Sequence, residues 1–262
     1  YLYTNGSRFT AYTEFGIPGI SPREVLEGII PAEELFPPRP GTAWEEHHAF
    51  GAWDGDPSTW LGLPTLARYF PPAETLDELI AQSSLLQGEG YKAVFEEARR
   101  QKPYCSMALN WCFDEPWPAA ANNSLVAYPA VLKPAIAEVR RACRPLCASA
   151  RFARFDWKED ETFEAEVWIL NDVFARTGPF VVTVTLRAGR AEERILRWES
   201  PSVEPNRNTA GPTARFRLPA WDTDRFGVEL SVEGHPEMNA CYTLMYRRSP
   251  RKRRCTSMNV TE

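Results

Sequence analysis

Hydrophobic and polar positions change their period once along this chain, close to Pro145. Before that point, residues 7–16 are rich in β-branched and aromatic side chains and stop at Gly16, which predicts a buried strand with Glu14 at its C-terminal end. Ser21 and Pro22 supply an N-cap and a first helical position for a short helix reaching Ile30. Residues 36–72 keep no steady period and carry prolines, glycines and Trp44, Trp53 and Trp60. Loops this long in compact domains are functional or disordered, and the aromatic content argues against disorder. Apolar residues from 75 to 102 fall at helical spacing with one break at Gly88-Glu89-Gly90, so a kinked or split helix is expected. Pro103 ends it, residues 104–111 read as a second buried strand closing on Trp111, and residues 133–141 form a last amphipathic helix.

After Pro145 come short alternating runs at 149–157, 163–170, 180–186, 194–198, 214–218, 227–232 and 241–246. Phe163, Ala165, Val167 and Ile169 alternate with Glu164, Glu166 and Trp168, one face in and one out. This pattern predicts an antiparallel, immunoglobulin-like β-sandwich. The expected organisation is an α/β unit over 1–144, the sandwich over 145–247, and a basic tail over 248–262 whose like charges repel and leave it disordered.

Composition narrows the partners. With 262 residues and 44% hydrophobic content the chain can build a substantial core. A net charge of -5 with 25% charged residues gives no nucleic-acid footprint. No apolar run approaches the ~20 residues of a membrane span, and no signal peptide is visible, so a soluble protein is expected, the cytoplasm being weakly favoured. The six cysteines are scattered and read as free thiols, and Cys143 and Cys147 lack a second pair at zinc spacing, so no metal is expected. Three short sequons, at Asn5, Asn122 and Asn259, carry little weight. The first residue is Tyr1, not methionine, and the chain opens on the approach to a strand, which suggests that an upstream segment has been removed.

Two parallel-type strands with polar and aromatic residues at their C-terminal ends match one sector of a (β/α)8 TIM barrel, the C-terminal part of which is the expected fold of the first unit. Tyr12-Thr13-Glu14-Phe15-Gly16, then Trp44-Glu45-Glu46-His47, then Asn110-Trp111-Cys112-Phe113-Asp114-Glu115-Pro116-Trp117-Pro118 resemble, in order and spacing, the last barrel motifs of glycoside hydrolase family 2. The Lys133-Pro134 step and Glu166-Val167-Trp168-Ile169-Leu170-Asn171-Asp172 are similar to mannosidase-like members, so the likeness runs over residues 7–246. The family's usual sequence after the tryptophan resembles Gln-Leu-Asn-Asp, where this chain has Cys112, Phe113, Asp114 and Glu115.

The resemblance implies a retaining β-glycosidase, acting on β-mannosides or β-galactoside-like substrates by double displacement without a cofactor. It implies that Glu14 is the nucleophile and that Trp111 is a sugar platform. Trp44, His47 and Glu115 are candidate substrate contacts, His48 shares the loop of His47 as a partner for a sugar hydroxyl, and Trp53 and Trp60 with Trp44 either wall a sugar subsite or pack the loop onto the barrel. The family's acid/base glutamate follows an asparagine, and no Asn-Glu dipeptide occurs in this sequence. The chain alone is therefore expected to be inactive, with a missing N-terminal segment as partner and a homodimer through unpaired barrel edges as a further expectation. Each residue also has an ordinary reading: a solvated strand-end glutamate, a core tryptophan, a surface histidine. Two rivals stand beside the enzyme: a non-catalytic carbohydrate-binding or interaction module, and a structural piece that buttresses a barrel elsewhere.

Overall fold

The structure is a computed structural model, and it describes residues 8–51 and 60–249. Strand β1 (Ala11–Phe15) and the short β2 (Gly19–Ile20) lead into helix α1 (Arg23–Ile29). Two short helices, α2 (Ala43–Glu46) and α3 (Leu63–Tyr69), give order to the stretch that showed no period. Helix α4 (Leu76–Arg100) returns the chain to β3 (Met107–Asn110), which pairs parallel with β1. The small strands β4 (Ala121–Asn122), β5 (Val126–Ala127) and β6 (Val131–Leu132) then lead to α5 (Ala135–Ala142). Strand, helix and parallel strand are as expected. Among the described residues the parallel sheet has these two strands, and no closed barrel is present.

The β-rich half is a sandwich of two sheets. Strands β7 (Leu146–Arg151), β9 (Thr162–Asn171) and β12 (Asn208–Arg217) form one sheet. The other runs in the order β11 (Ala191–Glu199), β10 (Val181–Ala188), β13 (Arg225–Val232), β14 (Ala240–Arg247), β8 (Asp156–Lys158). Phe163, Ala165, Val167 and Ile169 are buried, as their alternation required, and meet Val182, Val184, Leu186, Phe226, Val228 and Leu230 from the facing sheet. The single run expected at 149–157 is two strands in different sheets. Phe152 and Phe155, both buried, turn the chain from one to the other.

Two local expectations are corrected. Ser21 is not the cap of α1: Pro22 occupies that place, and Ser21 Oγ instead donates to the carbonyl of Ala119 at 2.7 Å. Helix α4 is neither split nor broken at its glycines. A Cβ on Gly90 would lie 3.0 Å from Ile17, and one on Gly88 3.0 Å from Glu138, so these positions stay small for close packing. Thr75 caps the helix by accepting the Glu78 amide at 3.2 Å.

Helix α4 ties the two halves together with charge as well as apolar contact. Lys92 lies 3.1 Å from Glu89 and 2.7 Å from Glu138, and its ammonium donates to the Cys241 carbonyl on β14 at 2.7 Å. The Thr243 amide donates to Glu89 at 2.9 Å. Further along, Glu96 accepts from Ser149 at 2.6 Å and from Tyr242 at 2.8 Å. A buried carboxylate is held in such a place only by partners of this kind. One hydrophobic cluster, from Ile20 and Leu26 through Phe163 to Tyr246, runs through both halves.

The five described cysteines are free. No helix among the described residues is long and apolar enough to cross a membrane. Trp53, the sequons at Asn5 and Asn259, and the basic run from residue 250 lie outside the described residues. Arg248, just before that run, pairs with Asp222 at 3.0 Å.

Candidate active site

Glu14 and Trp111 stand where β1 and β3 end. Tyr12 pairs with Ala108 and Phe15 with Asn110, so Thr13 and Glu14 together stand opposite Leu109: the strand carries a bulge of one residue. Tyr12 faces α4, where its hydroxyl accepts from Gln101 at 3.0 Å, and Phe15 faces the same helix, packing on Phe95 and Tyr91 with ring centroids 5.1 and 5.9 Å away. Simple alternation would have turned Glu14 toward α4 with Tyr12. The bulge leaves both Thr13 and Glu14 exposed on the opposite face.

Gly16 follows for a steric reason, since a Cβ there would come within 2.0 Å of the Asn123 side chain. The next register point is the Trp111 amide, which donates to the Phe15 carbonyl at 2.8 Å and fixes the end of β3 against the end of β1. Trp111 is 56% exposed, and the Trp111–Cys112 peptide is cis. Burial pushes the Cys112 thiol up, so this neighbour of Trp111 is not held as a thiolate. Met107, Leu109 and Phe113 are exposed as well. The second strand was expected to be buried, but no other described element covers this face.

His47 belongs to the same end. Its Nδ1 lies 2.9 Å from the Pro118 carbonyl, which can only accept, so Nδ1 carries the proton and Nε2 of the neutral ring is an acceptor. The His47 carbonyl takes the Ala120 amide at 2.7 Å, binding the α2 turn to the segment after β3. Three further rings stand beside it that the chain pattern alone does not bring together. His48 stacks on Trp60 at 5.7 Å, and Trp117 lies 6.2 Å from His47 and 6.4 Å from His48. The Trp-Pro pair after Glu115 was the available signal for Trp117.

Two candidates are not at any surface. Trp44 is 0% exposed, packed in the core with its indole nitrogen donating to the Glu34 carbonyl at 2.9 Å, so it presents no face to a sugar. The Glu115 side chain is fully buried against Lys133 at 2.9 Å, and its second oxygen accepts from the Tyr128 amide at 3.3 Å. Both were expected as substrate contacts, and both hold the loops instead. Trp44 fixes the 42–50 turn, and Glu115 with Lys133 anchors the segment that displays Trp117.

The fold has counterparts among solved structures. The chain matches a β-D-mannosidase from Dictyoglomus thermophilum at a TM-score of 0.66 and 20% identity, covering 89% of this chain and 27% of that one. The chain shares that fold. An exo-chitosanase of Amycolatopsis orientalis matches at 0.66 and 15% identity over the same shares, and a second structure of that enzyme, described as an exo-β-D-glucosaminidase, at 0.66 and 16%, covering 88% of this chain. The fold of both enzymes extends over both halves of this chain, which spans about a quarter of their length. No protein-family model and no curated protein matches the sequence.

Proposed function

We propose that this chain is the C-terminal portion of a retaining β-glycosidase, residues 1–144 being the end of its (β/α)8 barrel and residues 145–247 an immunoglobulin-like sandwich. Glu14 is its nucleophile. The observation that carries the reading is the bulge at Thr13–Glu14, which turns a carboxylate onto the open face at the C-terminal end of a parallel strand, beside a half-exposed tryptophan on the neighbouring strand.

In the reaction, a Glu14 carboxylate oxygen attacks the anomeric carbon while the bond from that carbon to the leaving oxygen breaks. The leaving oxygen takes a proton from the second carboxyl group, and the glycosyl group is held as an ester on Glu14. Water, deprotonated by the same second group, then cleaves the ester and restores the Glu14 carboxylate. Retention requires the two carboxyl groups about 5–5.5 Å apart. With no Asn-Glu dipeptide here, the second group comes from chain outside this sequence, and the chain alone is inactive. Trp111 offers its ring to the apolar face of the bound sugar and His47 Nε2 accepts from a hydroxyl. The names of the structural neighbours favour a β-mannoside or β-glucosaminide as the first substrates to try.

The test is hydrolysis of a panel of aryl β-glycosides by the full-length protein that contains this chain, by this chain alone, and by each with Glu14→Gln. Activity of the full-length protein that the substitution abolishes supports the assignment. Full activity in the substituted protein sinks it, and absence of activity in the unsubstituted full-length protein moves the reading to a carbohydrate-binding module.

A further inference from the structure

At the end of β1 away from Glu14 lies a cleft of about 510 Å³, walled by Arg8, Arg100, Lys102, Tyr104, Arg151 and Trp168. We propose that it binds a small organic oxyanion, a phosphate or carboxylate carried on a ring. The site is independent of the glycosidase reading, and three segments build it. Arg8 precedes β1, and the neighbouring Phe9 amide donates to Gln101 Oε1 at 3.2 Å, which sets this approach against the end of α4. Arg100 is the last residue of that helix and Lys102 stands just beyond it. The third wall is the outer face of the β7–β9 sheet. There Ser149 pairs with Trp168 and Arg151 with Glu166, so these four side chains share the face opposite the one that buries Phe163, Ala165, Val167 and Ile169.

Charge and hydrogen-bonding capacity together select the ligand. Arg8, Arg100, Lys102 and Arg151 line the cleft against one carboxylate, Glu97. Glu97 lies 3.0 Å from both Arg100 and Arg151. Glu96 stands 3.5 Å from Arg100, Glu166 stands 3.4 Å from Arg151, and Lys102 pairs with Asp172. These pairs clamp α4 to the sandwich and account for Arg100, which is buried. They do not account for the exposed Arg8, which has no carboxylate partner among the described residues, or for Arg151, whose side chain keeps 26% exposure. Two more donors of the wall, Arg151 Nε and Trp168 Nε1, are buried with no acceptor among the described residues. Guanidinium and indole nitrogens can only donate. At the end of α4 the carbonyls of Glu97, Arg99 and Gln101 are already taken by the amides of Gln101, Lys102 and Tyr104. What the cleft lacks is an acceptor, and an oxyanion meets a guanidinium fork with two hydrogen bonds. Trp168 and the exposed ring of Tyr104 add flat apolar surface, and the volume falls within the range of about 300–1,000 Å³ of small-molecule sites, so the anion carries a ring.

The experiment is calorimetric titration of the full-length protein that contains this chain with phenyl phosphate, with benzoate and, as the neutral control, with phenol. At least one of the two anions is expected to bind, more weakly as salt rises, and to bind about tenfold or more tighter than phenol. The tighter anion identifies the oxyanion. Arg8→Gln and Arg151→Gln are each expected to weaken that binding by about tenfold, the weight of one charge-assisted hydrogen bond. Arg151→Gln also takes a partner from Glu97 and costs stability, whereas Arg8 is exposed, so Arg8→Gln stays folded and decides. Phenol bound as tightly as the anions, no binding of either anion, or an affinity unchanged in the folded variants each overturns the site. None of these readings requires turnover, so an inactive protein removes the glycosidase reading and leaves this one standing.

Discussion

The Lys133 ammonium lies 2.9 Å from the Glu115 carboxylate, with neither side chain exposed to solvent. Lys133 also donates to the carbonyls of Gly19 and Asn122 at 3.1 Å each, so it joins the segment after β1 to the segment after β3. Burial drives the Lys133 pKa down, and the facing Glu115 carboxylate opposes that shift. Removing one partner leaves the other charge buried alone, which costs about 3–5 kcal/mol. Glu115→Gln and Lys133→Met are each expected to lower stability in urea by that much, while the double substitution costs less than their sum. Additive losses would show that the pair is not coupled.

Glu89 sets a pH dependence. Burial pushes its carboxyl up to about 7, against the opposing pull of Lys92 and the Thr243 amide. An acid whose pKa is raised on folding binds its proton more tightly in the folded state, so its contribution is complete below the unfolded value of 4.5 and is lost as pH rises through about 7. Stability measured by thermal unfolding should therefore fall over that window, and Glu89→Gln should flatten the fall. The same slope in the variant would assign the effect to another group.

Two glycines in helices separate propensity from packing. A Cβ on Gly28 in α1 would meet nothing within 4 Å, and exchanging glycine for alanine in such a helix gains roughly 0.4–1 kcal/mol. Gly90 in α4 would set its Cβ 3.0–3.3 Å from three atoms of Ile17, and overpacking of this kind costs about 1–3 kcal/mol. Chemical denaturation should show Gly28→Ala stabilised and Gly90→Ala destabilised. Stabilisation by both would mean that Ile17 yields freely.

That contrast marks where the sequence could be read and where it could not. The alternation of Phe163 to Ile169 fixes both period and face by itself, because one side of a sandwich strand is always inside. Gly88 and Gly90 resemble a helix break because the chain pattern does not show Ile17 and Glu138, the neighbours that require them to be small. The flanking motif placed Glu14 at the end of a strand, but the bulge that turns it outward depends on its register with Leu109. Trp44 and Glu115 escaped a correct reading for one reason: burial is decided by elements far apart in sequence, here the Glu34 carbonyl and Lys133. His48 and Trp117 came together only when two loops met.

The open face of the β1–β3 sheet makes the last prediction. Leu109 is 53% exposed on the side away from α4, next to Met107 and Trp111, and Phe113, past the strand end, is 59% exposed. Among the described residues neither strand has a partner on its outer edge. A contiguous apolar face bordered by unpaired backbone groups drives association. The chain on its own is therefore expected to self-associate with rising concentration, and sedimentation velocity would show the dimer or larger species. Leu109→Lys places a charge in the middle of that face and should return the chain to the monomer, with little loss of Tm because this side chain is more than half-exposed. A wild-type chain that sediments as a monomer at high concentration would mean that the face is covered by residues outside those described, and the proposed barrel edge would then be wrong.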